Sequence, residues 1–97
     1  MMDGPLDTTL ASAVPAFNRG FRLRHDAVRD AWVVLAPERL LLLDQVGAAV
    51  LHLVDGVRTV PDIVAALAVQ FDAPATQIVG DVDTMLRDLQ QQGAIRL

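Results

Sequence analysis

The spacing of apolar residues changes once along this chain, and that change restricts the fold more than any other feature of the sequence. Between Phe21 and Leu35, apolar residues alternate with charged ones or form a short run of β-formers, whereas after Asp44 they recur at intervals of three and four residues. The first spacing is typical of strands and the second of amphipathic helices. The sequence therefore predicts an α+β domain in which a sheet precedes the helices.

Three strands are predicted in the first half of the chain. Phe21–His25 and Trp32–Leu35 form an antiparallel hairpin around a turn at Asp26–Asp30, and Arg39–Leu43 follows the break at Pro37. Four consecutive leucines show no period by themselves, and leucine favours helices by intrinsic propensity. Because the run is short and lies between a proline and a capping residue, we interpret it as a third strand covered on both faces.

Three helices are predicted after this three-stranded antiparallel sheet. The first begins at Asp44 and the second at Thr59, since both side chains can cap a helix, and Pro61 is tolerated in the first turn of the second. The third extends from about 75 to 92 and ends at Gly93. The short break between the second and third helices gives a helix-turn-helix order, so the predicted architecture is winged helix-turn-helix-like.

The chain is predicted to form one small domain behind a flexible tail. Residues 1–16 contain two prolines and no sustained apolar period, which predicts a tail, and residues 17–97 form the domain, closed by a short strand or packed end at Ile95 and Leu97. The chain has no run of about 18 uncharged apolar residues, and Met1–Val14 lacks the positive charge of a secretory signal. We therefore expect a cytoplasmic protein without a membrane partner.

The residue patterns that catalysis or metal binding require do not occur in the sequence. There is no cysteine, which excludes disulfides, thiolate nucleophiles and cysteine-ligated zinc or iron–sulfur sites. Ser12, the only serine, has no nucleophile elbow around it, and His25 and His52 are not spaced to share a metal. We therefore expect a protein that is not an enzyme and has no catalytic residue, metal or cofactor. Turnover of a substrate by the purified chain alone, without a partner, would reveal a hidden site.

The helix-turn-helix order raises DNA binding as an alternative function. Proteins that read the major groove gain affinity by neutralising phosphates with lysine and arginine. The third helix instead carries Asp81, Asp83 and Asp88 against Arg87, the chain has no lysine, and its net charge is -4. We therefore expect no nucleic-acid partner, and tight, sequence-selective binding in a mobility-shift assay would reverse that interpretation.

A three-stranded sheet also has open edges, and an extended peptide can add to one of them as a further strand. The leucine strand beside the apolar face of the third helix would supply backbone hydrogen bonds and side-chain pockets. The alternative is that the leucines and the apolar residues of this helix are simply core, which is the expected role of the inward-pointing ones. The helix residues concerned are Val82, Met85, Leu86 and Leu89.

Several segments, taken in order, resemble the PqqD family. They are Trp32–Arg39, Leu43–Asp44, Gly47, Asp55–Gly56, Arg58–Thr59 and the closing Leu86–Leu97. The resemblance extends over about 14–97, nearly the whole chain apart from its tail. Its most specific parts are the segment that begins at Trp32 and the Asp-Gly-Val-Arg-Thr turn, whose order and spacing together are more specific than either one alone.

The resemblance implies a recognition element for ribosomally made, post-translationally modified peptides (RiPPs). Members of the family bind a PqqA-type precursor peptide as an added strand against the third strand and third helix. They also contact a PqqE-type radical S-adenosylmethionine (SAM) enzyme, which carries the iron–sulfur clusters and links a glutamate to a tyrosine in the precursor. The implied function is a non-catalytic peptide chaperone in pyrroloquinoline quinone (PQQ) biosynthesis. A homodimer stays open, because an apolar strand edge permits one.

The resemblance also assigns roles to individual residues. Backbone pairing is expected of Arg39, Leu40, Leu41, Leu42 and Leu43, the groove wall of Val82, Met85, Leu86 and Leu89, and the polar rim of Asp83 and Arg87. Scaffold roles are expected of Trp32 as a core ring, Pro37 as a bend, Asp44 as a helix cap, and Gly47 and Gly56 as two close turns.

Overall fold

The structure, a computed structural model, describes residues 12–97 and combines a three-stranded sheet with three helices and a smaller two-stranded sheet. The elements are β1 (Ala16–Phe17), β2 (Arg22–Asp26), β3 (Ala31–Leu35), β4 (Leu40–Leu42), α1 (Gln45–His52), α2 (Val60–Gln70), α3 (Ala75–Gln91) and β5 (Ile95–Arg96). The larger sheet is antiparallel in the order β2-β3-β4, and β1 pairs with β5. The predicted α+β fold, with a three-stranded antiparallel sheet followed by three helices, is confirmed.

The side chain of Asp26 holds the hairpin between β2 and β3. Its Oδ1 accepts a hydrogen bond from the backbone N–H of Val28, and its Oδ2 accepts one from Arg29 Nη1 at 2.6 Å. Asp30 closes the turn with a φ of 50°, in the left-handed region that aspartate tolerates better than most residues. Because the turn is fixed by local chemistry, the register of β2 against β3 is fixed with it.

The leucines of β4 are not covered on both faces, and that part of the prediction is wrong. Leu42 exposes 66% of its surface and Leu40 36%, whereas Leu41 and Leu43 are half-buried. Leu41 stands opposite the buried Val34, on the face that packs on the helices, so Leu40 and Leu42 point to the other face. A run of identical residues does not indicate which face is buried.

The first two helices begin at the predicted caps. Asp44 Oδ1 accepts a hydrogen bond from the Gly47 backbone N–H at 2.7 Å, and Thr59 forms a capping box with Asp62. The third helix ends two residues before Gly93, which has a φ of 81°. The helix boundaries therefore follow from side chains that lie at the ends themselves.

The core lies between the inner face of the sheet and the three helices. Its most completely buried side chains are Val34, Val50, Leu51, Val60, Ile63, Leu67, Val82, Leu86 and Ile95. Within residues 12–97 the fully buried side chains are apolar. Each contributes about 1.5–3 kcal/mol by leaving water. The helices are therefore held against one face of the sheet, while on the opposite face Val33 is buried and Arg24, Leu40 and Leu42 are exposed.

Trp32 lies at the surface, so the prediction of a core ring is wrong. Its side chain is 36% exposed and stands between two imidazole rings in edge-to-face geometry, with centroid distances of 5.1 Å to His25 and 4.4 Å to His52. His25 is its cross-strand neighbour on β2, and His52 is the last residue of α1. The Trp32 ring therefore packs at the surface between β2 and the last residue of α1.

Most of the tail predicted for residues 1–16 lies outside the described residues. The part that is described, 12–16, packs on the domain: Ala13 and Ala16 are buried, and the Ala13 carbonyl accepts a hydrogen bond from the Val60 backbone N–H at 3.1 Å. Ala16 also pairs with Arg96 between β1 and β5. The chain is therefore attached to α2 and β5 before residue 17, where the domain was predicted to begin.

Candidate functional site

A groove lies between the edge of β4 and the side of α3. It has a volume of about 420 Å³. Its lining residues are Leu40, Leu41, Leu42, Leu43, Asp44, Gly47, Met85, Asp88, Leu89 and Gln92. Gln92 lies at the end nearest Leu40, where its carbonyl accepts a hydrogen bond from Arg39 Nη2 at 2.7 Å. Met85 lies at the end nearest Gly47. The groove therefore follows the whole length of β4.

The backbone of β4 alternates between pairing with β3 and facing the groove. Leu43 N–H donates to the Trp32 carbonyl at 3.2 Å, and the Arg39 carbonyl accepts from Ala36 N–H at 3.0 Å, so the odd-numbered residues of this segment bond to β3. In an antiparallel ladder the residues between them turn their N–H and C=O groups to the opposite side. Leu40 and Leu42 therefore present their backbone groups along the edge. In the part of the chain that the structure describes, no further strand pairs there.

The apolar wall opposite this edge comes from one turn of α3. Met85 is half-buried and Leu89 is 3% exposed, and their spacing of four residues places them on one side of the helix. Met85 is the adaptable element of the wall, because its unbranched thioether adopts many shapes at little cost. An extended chain in the groove would therefore contact an apolar surface that can adjust to it.

Gly47 brings α1 close to the end of the groove. A Cβ atom on this residue would lie 3.2 Å from Asp44 Oδ1, 3.2 Å from Met85 Cε and 3.5 Å from Leu43 Cδ2. Gly47 therefore lies at a point of close packing within α1 and not in a close turn as expected, and any larger side chain would press on the groove. Gly56 has the predicted role, since its φ of 78° belongs to a turn.

Carboxylates occupy the middle of the groove and the end near Gly47. Asp88 lines the middle, where its Oδ2 accepts a hydrogen bond from Gln92 Nε2 at 2.8 Å. Beyond Asp44 the groove continues into a second hollow of about 540 Å³, to which Asp81 also contributes. Among residues 12–97, every ionisable side chain that lines either hollow is an aspartate.

Several of the predicted site residues line this groove and others do not. Leu40, Leu41, Leu42, Leu43, Met85 and Leu89 line it, and Arg39 stands at one end. Val82 and Leu86 are 1% and 0% exposed, which places them in the core beneath the wall. The structure thus divides the predicted helix residues between groove and core.

Asp83 and Arg87 do not lie at the rim of the groove. They pair with each other, with 2.6 Å between Arg87 Nε and Asp83 Oδ1, and each is two residues from Met85, hence on the far side of α3. The rim is formed instead by Asp88 and Gln92 of α3, together with Asp44. Asp88 and Gln92 follow Met85 at three and seven residues, and this helical spacing is the signal that could have identified them.

The described part of the chain offers no cluster of three or more His, Asp or Glu side chains that could hold a metal ion. Nor is any helix in residues 12–97 long and apolar enough to cross a membrane. The groove itself offers apolar side chains, the outward backbone groups of Leu40 and Leu42, and the carboxylates of Asp44 and Asp88.

Comparison with known proteins identifies a family that this chain matches. Residues 31–95 match the family model for Coenzyme PQQ synthesis protein D (PqqD). A relative from Xanthomonas oryzae named PqqA binding protein is 45% identical over 83 residues, which are 86% of this chain and 90% of the relative. A relative of the same name from Gluconobacter oxydans is 40% identical over 82 residues, 84% of this chain and 85% of the relative.

Two solved structures are similar to this one. The solution NMR structure of the PqqD truncation of Methylobacterium extorquens PqqCD, described as a functional, stand-alone RiPP recognition element, has a TM-score of 0.78 and 44% identity, and the match covers 90% of this chain and 93% of that one. The crystal structure of PqqD from Xanthomonas campestris has a TM-score of 0.59 and 41% identity, covering 88% and 94%. Both likenesses agree with the predicted fold, which is therefore confirmed.

Proposed function

Because the chain belongs to the PqqD family, we propose that it binds a PqqA-type precursor peptide and presents it to a PqqE-type radical SAM enzyme in PQQ biosynthesis. The protein acts as a peptide chaperone and catalyses no reaction. The observation that carries this proposal is the edge of β4, whose outward backbone groups lie beside an apolar groove.

The peptide adds to β4 as a further strand. Its backbone pairs with the N–H and C=O groups of Leu40 and Leu42, since those groups point along the edge. Alternate side chains of the peptide then point toward Met85 and Leu89 on α3, and the others extend the outer face of the sheet. Backbone hydrogen bonds supply affinity in this mode, and the groove selects side chains.

The proposed contact set follows the geometry of the groove. It comprises Arg39, Leu40, Leu41, Leu42, Leu43, Met85, Asp88, Leu89 and Gln92. Val82 and Leu86 support these residues from the core. Asp83 and Arg87 are left out because they lie on the far side of α3.

Binding covers apolar surface that water now reaches. Leu42 is 66% exposed, and a chain lying along the edge would shield much of it. Burial of apolar area contributes about 25 cal/mol per Å², but ordering a flexible peptide opposes a large part of that gain. We therefore expect a dissociation constant in the micromolar to submicromolar range, not the nanomolar affinity of a large preformed interface.

Presentation to an enzyme requires that the bound peptide leave another surface of the domain open. The outer face of the sheet carries Leu35 and Leu40 in line with Arg22, and Leu42 in line with Arg24. This face is turned away from α3, so an added strand covers only its β4 border, at Leu40 and Leu42, and leaves Leu35, Arg22 and Arg24 open. An enzyme that docks there would meet an ordered peptide strand rather than a free chain, which lowers the entropy cost of positioning the reacting residues.

DNA binding has less support than peptide binding. In α3 the exposed charged residues Asp81 and Asp88 repel phosphates, and Arg87 forms an ion pair with Asp83. A winged-helix regulator would need the opposite charge on this helix.

Isothermal titration calorimetry with a PqqA-type precursor peptide tests the proposal. We expect saturable one-to-one binding that Leu42→Pro weakens at least about tenfold, because proline lacks the outward amide of this edge position. The matched control is Leu42→Ala, which shortens the side chain but keeps the amide and retains most of the affinity. No heat of binding at high micromolar peptide would contradict the proposal, as would full affinity in the folded Leu42→Pro variant.

A further inference from the structure

Charges along the groove are sorted by sign from one end to the other. Arg39 closes the end at which its guanidinium donates to the Gln92 carbonyl at 2.7 Å. Asp88 lies in the middle, Asp44 at the other end, and Asp81 in the adjoining hollow. A cation thus lies at the start of β4, and carboxylates extend from the middle of the groove beyond its end.

Among residues 12–97, arginine forms no ion pair with the carboxylates that line the groove. Asp44 accepts from the backbone N–H of Gly47, and Asp88 accepts from the neutral amide of Gln92. In residues 12–97 the ion pairs formed by arginine involve other aspartates. Arg39 uses one of its five N–H donors for the carbonyl of Gln92 and remains exposed.

We propose that this charge order selects the ligand: the bound segment carries a basic side chain, then apolar residues, then an acidic side chain, read from its N-terminus. The inference rests on the proposed strand addition. All pairings in the larger sheet are antiparallel, and a strand added to β4 in the same sense begins beside Asp44 and ends beside Arg39. The basic side chain then meets Asp81, Asp44 and Asp88, and the acidic one meets the guanidinium.

The length of the groove sets the spacing of the two charges in the ligand. Arg39 and Asp44 are five residues apart along an extended segment, which is about 17 Å at 3.4 Å per residue. The basic and acidic side chains of the peptide are therefore separated by about four to six residues. The residues between them that point toward α3 lie against Met85 and Leu89 and are apolar.

Two synthetic nine-residue peptides of identical composition test the charge order. Both have the same apolar centre; one carries lysine near its N-terminus and glutamate near its C-terminus, and the other has these two residues exchanged. Binding is measured by fluorescence anisotropy with a label at the same terminus. Exposed ion pairs are individually weak, but the exchange turns attractions into repulsions at both ends, so we expect the lysine-first peptide to bind about tenfold more tightly.

A charge-exchanged protein gives the complementary test. In the double variant Arg39→Glu, Asp88→Lys the preference reverses, while the net charge of the chain stays the same. The matched control, Arg87→Glu with Asp83→Lys, makes the same two changes at an ion pair on the far side of α3 that does not line the groove, and it keeps the original preference. Melting curves of all variants confirm that they are folded.

Equal affinity of the two peptides, or a preference of the natural chain for the glutamate-first peptide, overturns the inference. So does absence of binding by both peptides at millimolar concentration. The titration with the full PqqA-type precursor then separates failure of strand addition from failure of the charge-order proposal. If the precursor binds and the charge order has no effect, strand addition stands and the charge-order proposal fails.

Discussion

The two edge strands of the larger sheet meet solvent in different ways. On β2, Arg22, Arg24 and His25 are exposed and Leu23 and Asp26 are half-buried, whereas β4 consists of leucines beside the groove of α3. Charged side chains protect an edge strand against pairing with another chain, and an apolar edge invites it. The difference agrees with the proposal that a ligand strand adds to β4 and not to β2.

The hydrogen-bonding pattern makes the two edges directly comparable. On β4 the outward backbone groups belong to Leu40 and Leu42, and the same alternation on β2 assigns them to Leu23 and His25. Both edges therefore offer donors and acceptors at the same spacing. Only their side chains and neighbours differ, so we expect these, and not the backbone, to determine which edge a peptide chooses.

The largest expected effect concerns the core that supports the β4 edge. Leu86 is 0% exposed beneath the wall of the groove, so Leu86→Ala leaves a cavity and lowers the free energy of unfolding by about 2–5 kcal/mol. Chemical denaturation measures this loss. The folded fraction should still bind the precursor peptide with nearly the natural dissociation constant. A large loss of affinity without loss of stability would show that Leu86 contacts the peptide.

Proline at equivalent positions of the two edges gives the sharpest contrast in binding. Leu42→Pro removes an outward amide from β4 and should weaken peptide binding at least about tenfold, or about 1.4 kcal/mol. His25→Pro removes an outward amide from β2 and should leave the dissociation constant nearly unchanged. Calorimetric titration of both variants measures the contrast, and equal losses would remove the distinction between the edges.

Truncation of Met85, on the α3 wall of the groove, has a smaller effect on peptide affinity. Met85→Ala should raise the dissociation constant of the precursor peptide about fivefold, or about 1 kcal/mol, because an apolar contact on α3 is lost. Val69→Ala is the matched control, since Val69 is 83% exposed on α2 and does not line the groove. Unchanged affinity in Met85→Ala would show that the peptide does not lie against α3.

The smallest effect is a pH dependence at the protected edge. The side-chain and backbone hydrogen bonds from Arg29, against an opposing effect of burial, hold the pKa of Asp26 below its ordinary value. A carboxyl whose pKa is lowered on folding adds stability above its unfolded pKa and loses it as pH falls through the folded pKa. The contribution of Asp26 should therefore disappear on acidification below about pH 4. Asp26→Asn should flatten this part of the stability curve, measured by thermal denaturation against pH.

The sequence predicted those parts of the fold that depend on chemistry within a few residues. Asp44 and Thr59 begin the helices that they cap, because each side chain bonds to backbone N–H groups three residues further on. The turn at Asp26 and the end of α3 near Gly93 have the same local origin. The order of strands and helices followed from these boundaries.

Sequence reasoning was less successful where burial depends on the position of an element in the fold. Leu40 and Leu42 look like core residues in a leucine run, yet they lie on the outer face of an edge strand. Trp32 is apolar and large, but its place at the end of β3 leaves it between two histidine rings at the surface. Such exposure follows from long-range packing, which no local pattern encodes.

The candidate groove lies between the two elements that the sequence indicated, β4 and α3. Asp83 and Arg87 were expected at its rim, but they lie on the opposite side of the helix from Met85. The phase of a helix against a strand depends on which residues enter the core, here Val82 and Leu86. Once these are known, Asp88 and Gln92 follow as rim residues from the helical repeat.

Amide hydrogen exchange followed by NMR shows whether the precursor peptide becomes a strand on the β4 edge. Exchange rates are compared for the protein alone and for the protein saturated with a PqqA-type precursor peptide. We expect the amides of Leu40 and Leu42 to become slowly exchanging in the complex, while those of Leu23 and His25 do not change. Unchanged exchange at Leu40 and Leu42 in a saturated complex, or new protection confined to β2, would rule out strand addition at β4.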